Sequence, residues 1–127
     1  MSKFRTPLKN VRGLGSAKSG TEHFIQQRFT ATALVFLGIW FMCLLVGLIG
    51  ADYATAVETV SKPWNAVLLV VLLVSMFWHA QLGLQVVLED YIHNSLLALA
   101  LQVLVKFVAV FGAIVSIFAV ARIALGN

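Results

Sequence analysis

The segment FTATALVFLGIWFMCLLVGLIG, residues 29–50, contains no charged side chain over its 22 positions. An α-helix rises about 1.5 Å per residue, so a helix over this segment would be about 33 Å long. The hydrocarbon core of a bilayer is about 30 Å thick, and a helix of that length can cross it. The segment therefore predicts a transmembrane helix.

Two further apolar segments follow. Residues 65–88 carry His79 and two glutamines, and residues 95–125 carry Lys106 and Arg122. Over the whole chain 61% of residues are hydrophobic and 11% are charged, and the mean hydropathy is +0.96. A chain with so few polar groups cannot cover a core with a water-facing surface, so this composition indicates a membrane protein.

Helices are expected in all three segments because an unpaired backbone group in lipid costs several kcal/mol. The alternation of apolar and polar residues that is typical of membrane β-barrels is missing from the sequence. We therefore predict an all-α membrane protein with a single domain over residues 1–127. It has three transmembrane helices, at 29–50, 65–88 and 95–125, preceded by a basic N-terminal segment at 1–28.

The distribution of cations predicts the orientation in the membrane. Six of the nine Lys and Arg residues lie in residues 1–28, whereas residues 51–64 contain one lysine and two acids. Positive charge favours the cytoplasmic side, so we expect the N-terminus inside, residues 51–64 outside and residues 89–94 inside. An organellar transit peptide is the alternative for the basic segment, but its prolines and glycines interrupt any long amphipathic helix. Because topology accounts for the positive charge, we expect membrane lipid and no nucleic acid as a partner.

The stretch HAQLGLQVVLEDYIH, residues 79–93, carries the candidate functional residues. At about 100° per residue, His79 and Asp90 lie within about 20° of each other on one helix face, which Ser75 and Gly83 share. These small neighbours leave room beside His79 for a flat, bulky group. A histidine hydrogen-bonded to another helix is one interpretation of His79, and a ligand to a metal or heme is the other. Because no second histidine lies within the spans, a heme would need its other ligand from a different polypeptide of the same complex.

Asp90 and Tyr91 end the second apolar segment, where an acid and an aromatic side chain are common at the membrane interface. Together they also suit a quinone, because a phenol can donate to a quinone carbonyl and a carboxylate can help supply protons. Arg28 is either a cytoplasmic anchor or a partner for a buried anion such as a heme propionate. Gln81 and Gln85 are expected to hydrogen-bond to other helices.

Four motifs carry a resemblance to a known family. His79 to Tyr91 reads HAQLGLQVVLEDY, and the head contains RTPL from Arg5, RGLGSA from Arg12 and GTEHFIQQRFTA from Gly20. The chain resembles the membrane-anchor subunits of succinate dehydrogenase (succinate:quinone oxidoreductase, respiratory Complex II), particularly the alphaproteobacterial type. The resemblance covers nearly the whole chain, and its most specific element is the spacing of His79 from the Asp90-Tyr91 pair.

The resemblance implies a role for each candidate residue. His79 matches the axial ligand to heme b whose second ligand comes from the large cytochrome b subunit. Tyr91 matches the tyrosine that hydrogen-bonds ubiquinone, and Asp90 matches the neighbouring acid. Arg28 matches an arginine near the heme propionates, and His23 is a further, secondary contact.

The resemblance also implies partners and a location. A flavoprotein subunit would oxidise succinate and an iron-sulfur subunit would relay electrons. This chain, in the bacterial inner membrane, would hold no catalytic residue for succinate oxidation. Two alternatives remain open. The chain could anchor a quinol:fumarate reductase, or it could be a non-redox accessory or transport protein in which His79 only hydrogen-bonds.

Overall fold

A computed structural model describes residues 18–126 of the chain. Within this range all regular secondary structure is helical, as predicted. Four helices follow one another: α1 (Lys18–Gly47), α2 (Tyr53–Ser61), α3 (Pro63–Tyr91) and α4 (Ser95–Leu125). Three of them, α1, α3 and α4, are long and apolar enough to cross a membrane, which confirms the predicted all-α architecture with three spans.

Helix α1 differs from the predicted first span at both ends. It begins at Lys18 rather than at Phe29, so the last part of the predicted N-terminal segment is helical, and residues 1–17 of that segment lie outside the described residues. The length of an apolar segment predicts only the part of a helix that fits in hydrocarbon. The helix itself continues as long as its backbone hydrogen bonds do, and the polar residues Glu and Gln are good helix formers. At the other end α1 stops at Gly47, and Gly50 adopts a left-handed turn conformation with φ of +79°.

The segment predicted as the connection between the first two spans contains the short helix α2. Asp52 is its N-cap, and the Asp52 carboxylate accepts a hydrogen bond of 2.9 Å from the Thr55 backbone N–H. The Thr55 hydroxyl and then this N–H lower the pKa of Asp52. Asn65 at the start of α3 donates to the carbonyl oxygen of Thr59 at 2.8 Å, which ties α2 to the span that follows.

Helix α3 is the centre of the fold. It packs against both α1 and α4, while α1 and α4 do not pack against each other, and α2 contacts α3 and α4. The buried apolar side chains among the described residues are few and all belong to α3: Ala66, Leu69 and Leu82. Large side chains on the outer helices remain exposed, such as Phe36 at 70% and Phe107 at 69%. These surfaces therefore require lipid or another membrane protein.

The contact between α3 and α4 depends on Gly112. A Cβ atom at this position would lie 2.7 Å from Cε1 and 3.0 Å from Cζ of the Phe77 ring on α3. Because these distances are shorter than van der Waals contact, the absence of a side chain at residue 112 allows the two helices to approach.

We expect Gly112→Ala to destabilise the detergent-solubilised protein by about 1–3 kcal/mol, because the added methyl group displaces the Phe77 ring. Gly38→Ala is the matched control, since a Cβ at this α1 position meets nothing within 4 Å. Thermal unfolding followed by helicity measures both effects. Equal stability of the two variants would show that the Phe77 contact does not limit the approach of α3 and α4.

Candidate functional site

His79 lies on α3 and faces α1, where its Nδ1 is 3.1 Å from the hydroxyl oxygen of Thr30. Thr30 is 3% exposed and is the buried polar side chain among the described residues. One interpretation of His79, a hydrogen bond to a neighbouring helix, is therefore observed for one of its two ring nitrogens. One turn further along α3, the space left by Gly83 is next to the Gln27 side chain, whose Nε2 would lie 3.7 Å from a Cβ at residue 83.

The hydrogen bonds of Thr30 determine where the His79 proton lies. The Thr30 hydroxyl oxygen is 2.9 Å from the carbonyl oxygen of Gln26 and 3.1 Å from that of Gln27. Carbonyl oxygens only accept, so the single hydroxyl hydrogen is directed to them, and the hydroxyl accepts from His79 Nδ1. In this arrangement a neutral His79 ring would carry its proton on Nδ1 and a lone pair on Nε2. The Nε2 atom makes no hydrogen bond within residues 18–126.

His23 lies on the same side of α1 as Thr30, within about 20° around the helix axis. Its Nε2 and the Oε1 atom of Gln27 are buried and have no hydrogen-bond partner in the described part of the chain. Buried polar atoms are normally paired, so these two indicate a place where water, an ion or another polar group belongs. Both atoms belong to the face of α1 that packs on α3. They lie nearer to the start of α1 than Thr30 and its contact with His79 do.

A polar cavity of about 260 Å³ opens where α1 and α4 diverge on one side of α3. Its polar lining comes from all three long helices: Glu22, His23, Gln26, Gln81, Gln85 and Lys106. Lys106 is eleven residues into α4, about 16 Å from the start of that helix, which places its charge near the middle of the span. Its ammonium makes no ion pair or hydrogen bond within residues 18–126.

Within the described residues Gln81 and Gln85 make no hydrogen bond to another helix of this chain, so the expected bonds to other helices stay a prediction. Gln81 donates to Gln85 at 3.4 Å, and Gln85 donates to Glu89 at 2.9 Å, so both bonds run along α3 itself. A hydrogen bond between α3 and α4 is made one turn later, where Gln102 of α4 donates to Glu89 of α3 at 3.4 Å. A spacing of four residues lets long amide side chains reach each other on one helix, and this local bond competes with bonds to a neighbour.

Asp90 and Tyr91 lie at the end of α3, which Ile92 caps through its backbone N–H to the carbonyl oxygen of Leu88. Both side chains are exposed, Tyr91 at 77%, and neither has a hydrogen-bond partner in the described residues. They are eleven and twelve residues after His79, or about 16–18 Å along the helix. The structure thus places them on the same helix as His79 but at a separate level.

Arg28 is exposed and lies on α1 about 160° around the axis from Thr30. Its guanidinium carbon is 5.2 Å from the centre of the Phe24 ring, a cation–π contact within the same helix. The chain by itself therefore does not bring Arg28 to His79. Its guanidinium is open to a group that approaches from outside the three helices.

Thr30 and Gln27 are site residues that the sequence did not reveal. Both lie in the QQRFT stretch, residues 26–30, at the boundary between the polar and apolar parts of α1. The spacing of His23, Gln27 and Thr30 by four and then three residues places them on one helix face. That spacing predicts a shared face only if residues 23–30 are already helical. The apolar segment begins at Phe29, so its length alone does not predict a helix over these residues.

A family model described as succinate dehydrogenase/fumarate reductase transmembrane subunit matches residues 2–121 of the chain. The chain belongs to this family. As a member it is a membrane-anchor subunit with several spans, in agreement with the three long helices. The resemblance found in the sequence is confirmed.

Relatives within the family match over most of their length. The "succinate dehydrogenase hydrophobic membrane anchor subunit" of Rickettsia bellii is 32% identical over 117 residues, which cover 92% of this chain and 94% of the relative. The protein of the same name from Rickettsia conorii is 32% identical over 104 residues, 81% of this chain and 82% of the relative. That from Paracoccus denitrificans is 28% identical over 127 residues, 98% of this chain and 95% of the relative.

Proposed function

We propose that this chain anchors a succinate:ubiquinone oxidoreductase to the bacterial inner membrane, binds heme b through His79 and forms part of the ubiquinone site with Tyr91 and Asp90. The observation that carries the proposal is the contact of His79 Nδ1 with the Thr30 hydroxyl at 3.1 Å, while Nε2 makes no hydrogen bond within the described residues. With the ring proton on Nδ1, the Nε2 lone pair is available to a metal. A neutral imidazole with one nitrogen held by an acceptor is the form in which histidine usually ligates a metal.

The donor set fits a heme that is shared between two polypeptides. His79 is the one histidine of the described residues that lies within α3, so it would provide one ligand to the iron, and another polypeptide would provide the second. When bound, the heme provides a site that can accept and release one electron within the membrane. That second protein would be the cytochrome b subunit. Arg28 would meet a propionate from the outer surface of α1, and His23, with its unpaired Nε2, would be a secondary contact.

The end of α3 fits the head of a quinone. The Tyr91 hydroxyl has no partner within the described residues and can donate to a quinone carbonyl oxygen. The Asp90 carboxylate beside it can hold water or pass a proton to the reduced quinone, because reduction takes up two protons. These two residues position and protonate the quinone, and the oxidation of succinate takes place outside this chain.

The proposed topology brings the quinone site to the proteins that supply electrons. With the N-terminus in the cytoplasm, the end of α3 lies at the cytoplasmic face. The flavoprotein subunit and the iron-sulfur subunit would dock there, with the cytochrome b subunit beside this chain in the membrane. The relatives from both Rickettsia species and from Paracoccus are all named for succinate dehydrogenase, which favours succinate oxidation over the alternative of a quinol:fumarate reductase anchor.

The ligand assignment predicts that His79→Ala, in the purified complex, removes or alters the b-type heme spectrum while the chain still inserts. His93→Ala is the matched control, because His93 is exposed beyond the end of α3. Reduced-minus-oxidised difference spectra measure the effect. An unchanged spectrum in His79→Ala would exclude this residue as the ligand and favour the non-redox alternative.

The polar groups within the spans predict that the chain depends on a second membrane protein. Lys106 has no partner in the described residues, and the cost of a lysine at the centre of a span is about 2.5–3.5 kcal/mol on insertion scales. Expressed alone, the chain should therefore be degraded or aggregate, and co-expression with the other members of the complex should restore it. Size-exclusion chromatography in detergent tests this, and a stable, monodisperse monomer would contradict it.

The quinone assignment predicts that Tyr91→Phe lowers quinone reductase activity. In the complex, bound quinone and the other subunits would cover the Tyr91 hydroxyl, and loss of one buried hydrogen bond costs about 1–3 kcal/mol. Succinate oxidation by an artificial acceptor that takes electrons before the quinone should stay near normal. Tyr53→Phe, at an exposed tyrosine of α2, is the control. An equal loss in both assays would indicate failed assembly instead, and no loss in either would leave Tyr91 as an interfacial aromatic residue only.

A further inference from the structure

Thr30 is a polar side chain buried in the contact between two apolar helices, and its position is constrained from both sides. Its hydroxyl donates to the backbone of the preceding turn of α1, 2.9 Å from the Gln26 carbonyl oxygen, and accepts from His79 on α3 at 3.1 Å. With the residue only 3% exposed, water has little access to replace either bond. The branched Thr side chain has few χ1 rotamers in a helix, so the hydroxyl oxygen is held in one direction.

We propose that Thr30 is the positioning residue for the His79 ligand. The proposal rests on the proposed function, since it assumes that His79 Nε2 binds the heme iron. Thr30 itself does not touch the heme. It acts through His79 by holding the proton on Nδ1 and by fixing the plane of the ring relative to α1.

The direction of the hydrogen bond makes this role specific. If the Thr30 hydroxyl donated to His79, the ring proton would have to sit on Nε2 and no lone pair would be available for iron. The two carbonyl oxygens at 2.9 and 3.1 Å from the hydroxyl oxygen compete for its single hydrogen and favour the opposite arrangement, in which Nδ1–H donates. A hydrogen bond from Nδ1–H also increases the electron density that Nε2 donates, which stabilises ferric relative to ferrous iron.

The packing around the pair keeps the distance between them short. The Gln27 side chain lies next to Gly83, four residues after His79: a Cβ at residue 83 would be 3.7 Å from Gln27 Nε2, an ordinary van der Waals contact. This contact lies one turn of α1 before Thr30, so α1 and α3 are packed together on that side of the Thr30–His79 pair. The acceptor and the ring are therefore brought together before any ligand binds.

The test uses the intact purified complex with Thr30→Val, which keeps the shape of the side chain and removes the acceptor, and Thr30→Ser, which keeps the hydroxyl. Thr32→Val is the matched control, because exposed Thr32 makes the same kind of bond to the carbonyl oxygen of Arg28, at 2.9 Å, on another face of α1. The readouts are the heme midpoint potential, the electron paramagnetic resonance spectrum of the ferric heme and the rate of heme loss. None of them depends on turnover.

We expect Thr30→Val to raise the midpoint potential, to shift the ferric resonance and to speed heme loss by about 10-fold or more. Thr30→Ser and Thr32→Val should resemble the unaltered complex. If Thr30→Val fails to assemble, Thr30→Ala removes the same acceptor without adding a second methyl, and the same readouts apply. A normal potential, resonance and heme retention in the Val or Ala variant would overturn the role of Thr30 and leave the ligand assignment standing. Absence of heme from the unaltered complex would overturn both.

Discussion

Hydrocarbon offers no hydrogen-bond partners, and this constraint determines how the chain arranges its polar groups. The backbone satisfies itself within the long helices α1, α3 and α4. Side chains have to find partners one by one: Thr30 uses carbonyl oxygens of its own helix and the His79 ring, and Gln85 uses Glu89 on the next turn. What remains unpaired, such as His23 Nε2 and the Lys106 ammonium, then marks where something outside the described residues is needed.

The central position of α3 gives the protein two different polar faces. One carries His79 and, at the helix end, Asp90, and it is in contact with α1 through Thr30. The other carries Gln81 and Gln85, displaced from His79 by about 120–160° around the axis, and faces the cavity that Lys106 also lines. Because α1 and α4 pack on α3 but not on each other, the face with Gln81 and Gln85 stays open to neighbours, whereas the His79 face is partly covered by α1. A membrane anchor needs this openness, since its own helices bury very little.

The parts of the fold that the sequence predicts follow from simple physical limits. A charge-free stretch of bilayer length has few alternatives to a helix, so the three spans and the all-α class are predictable. The start of α1 is not predictable in this way. The polar residues before Phe29 are compatible with water both as a helix and as a coil, and the length of the apolar segment does not distinguish these two conformations. Helix α2 escapes prediction for a similar reason: it is nine residues long, and an aspartate at position 52 suits the end of one helix as well as the cap of the next.

The candidate site is only partly predictable. The positions of His79, Asp90 and Tyr91 on α3 follow from periodicity alone, since they share one continuous helix. The acceptor for the His79 ring cannot be found that way, because it belongs to α1, and which residue of α1 meets His79 depends on how the two helices pack. Thr30 and His79 are 49 residues apart in sequence, so only the packing of α1 on α3 brings their side chains together, and no local sequence pattern predicts the contact.

The central claim is that the free nitrogen of His79 holds an iron shared with another polypeptide of the complex. The most direct measurement is a high-resolution cryo-electron microscopy map of the intact complex purified from its native membrane. We expect heme density between this chain and a second membrane protein, with iron bonded to His79 Nε2 and with Nδ1 still facing Thr30. A map in which Nε2 meets a protein side chain or lipid, or in which the heme iron is held by other residues, would contradict it.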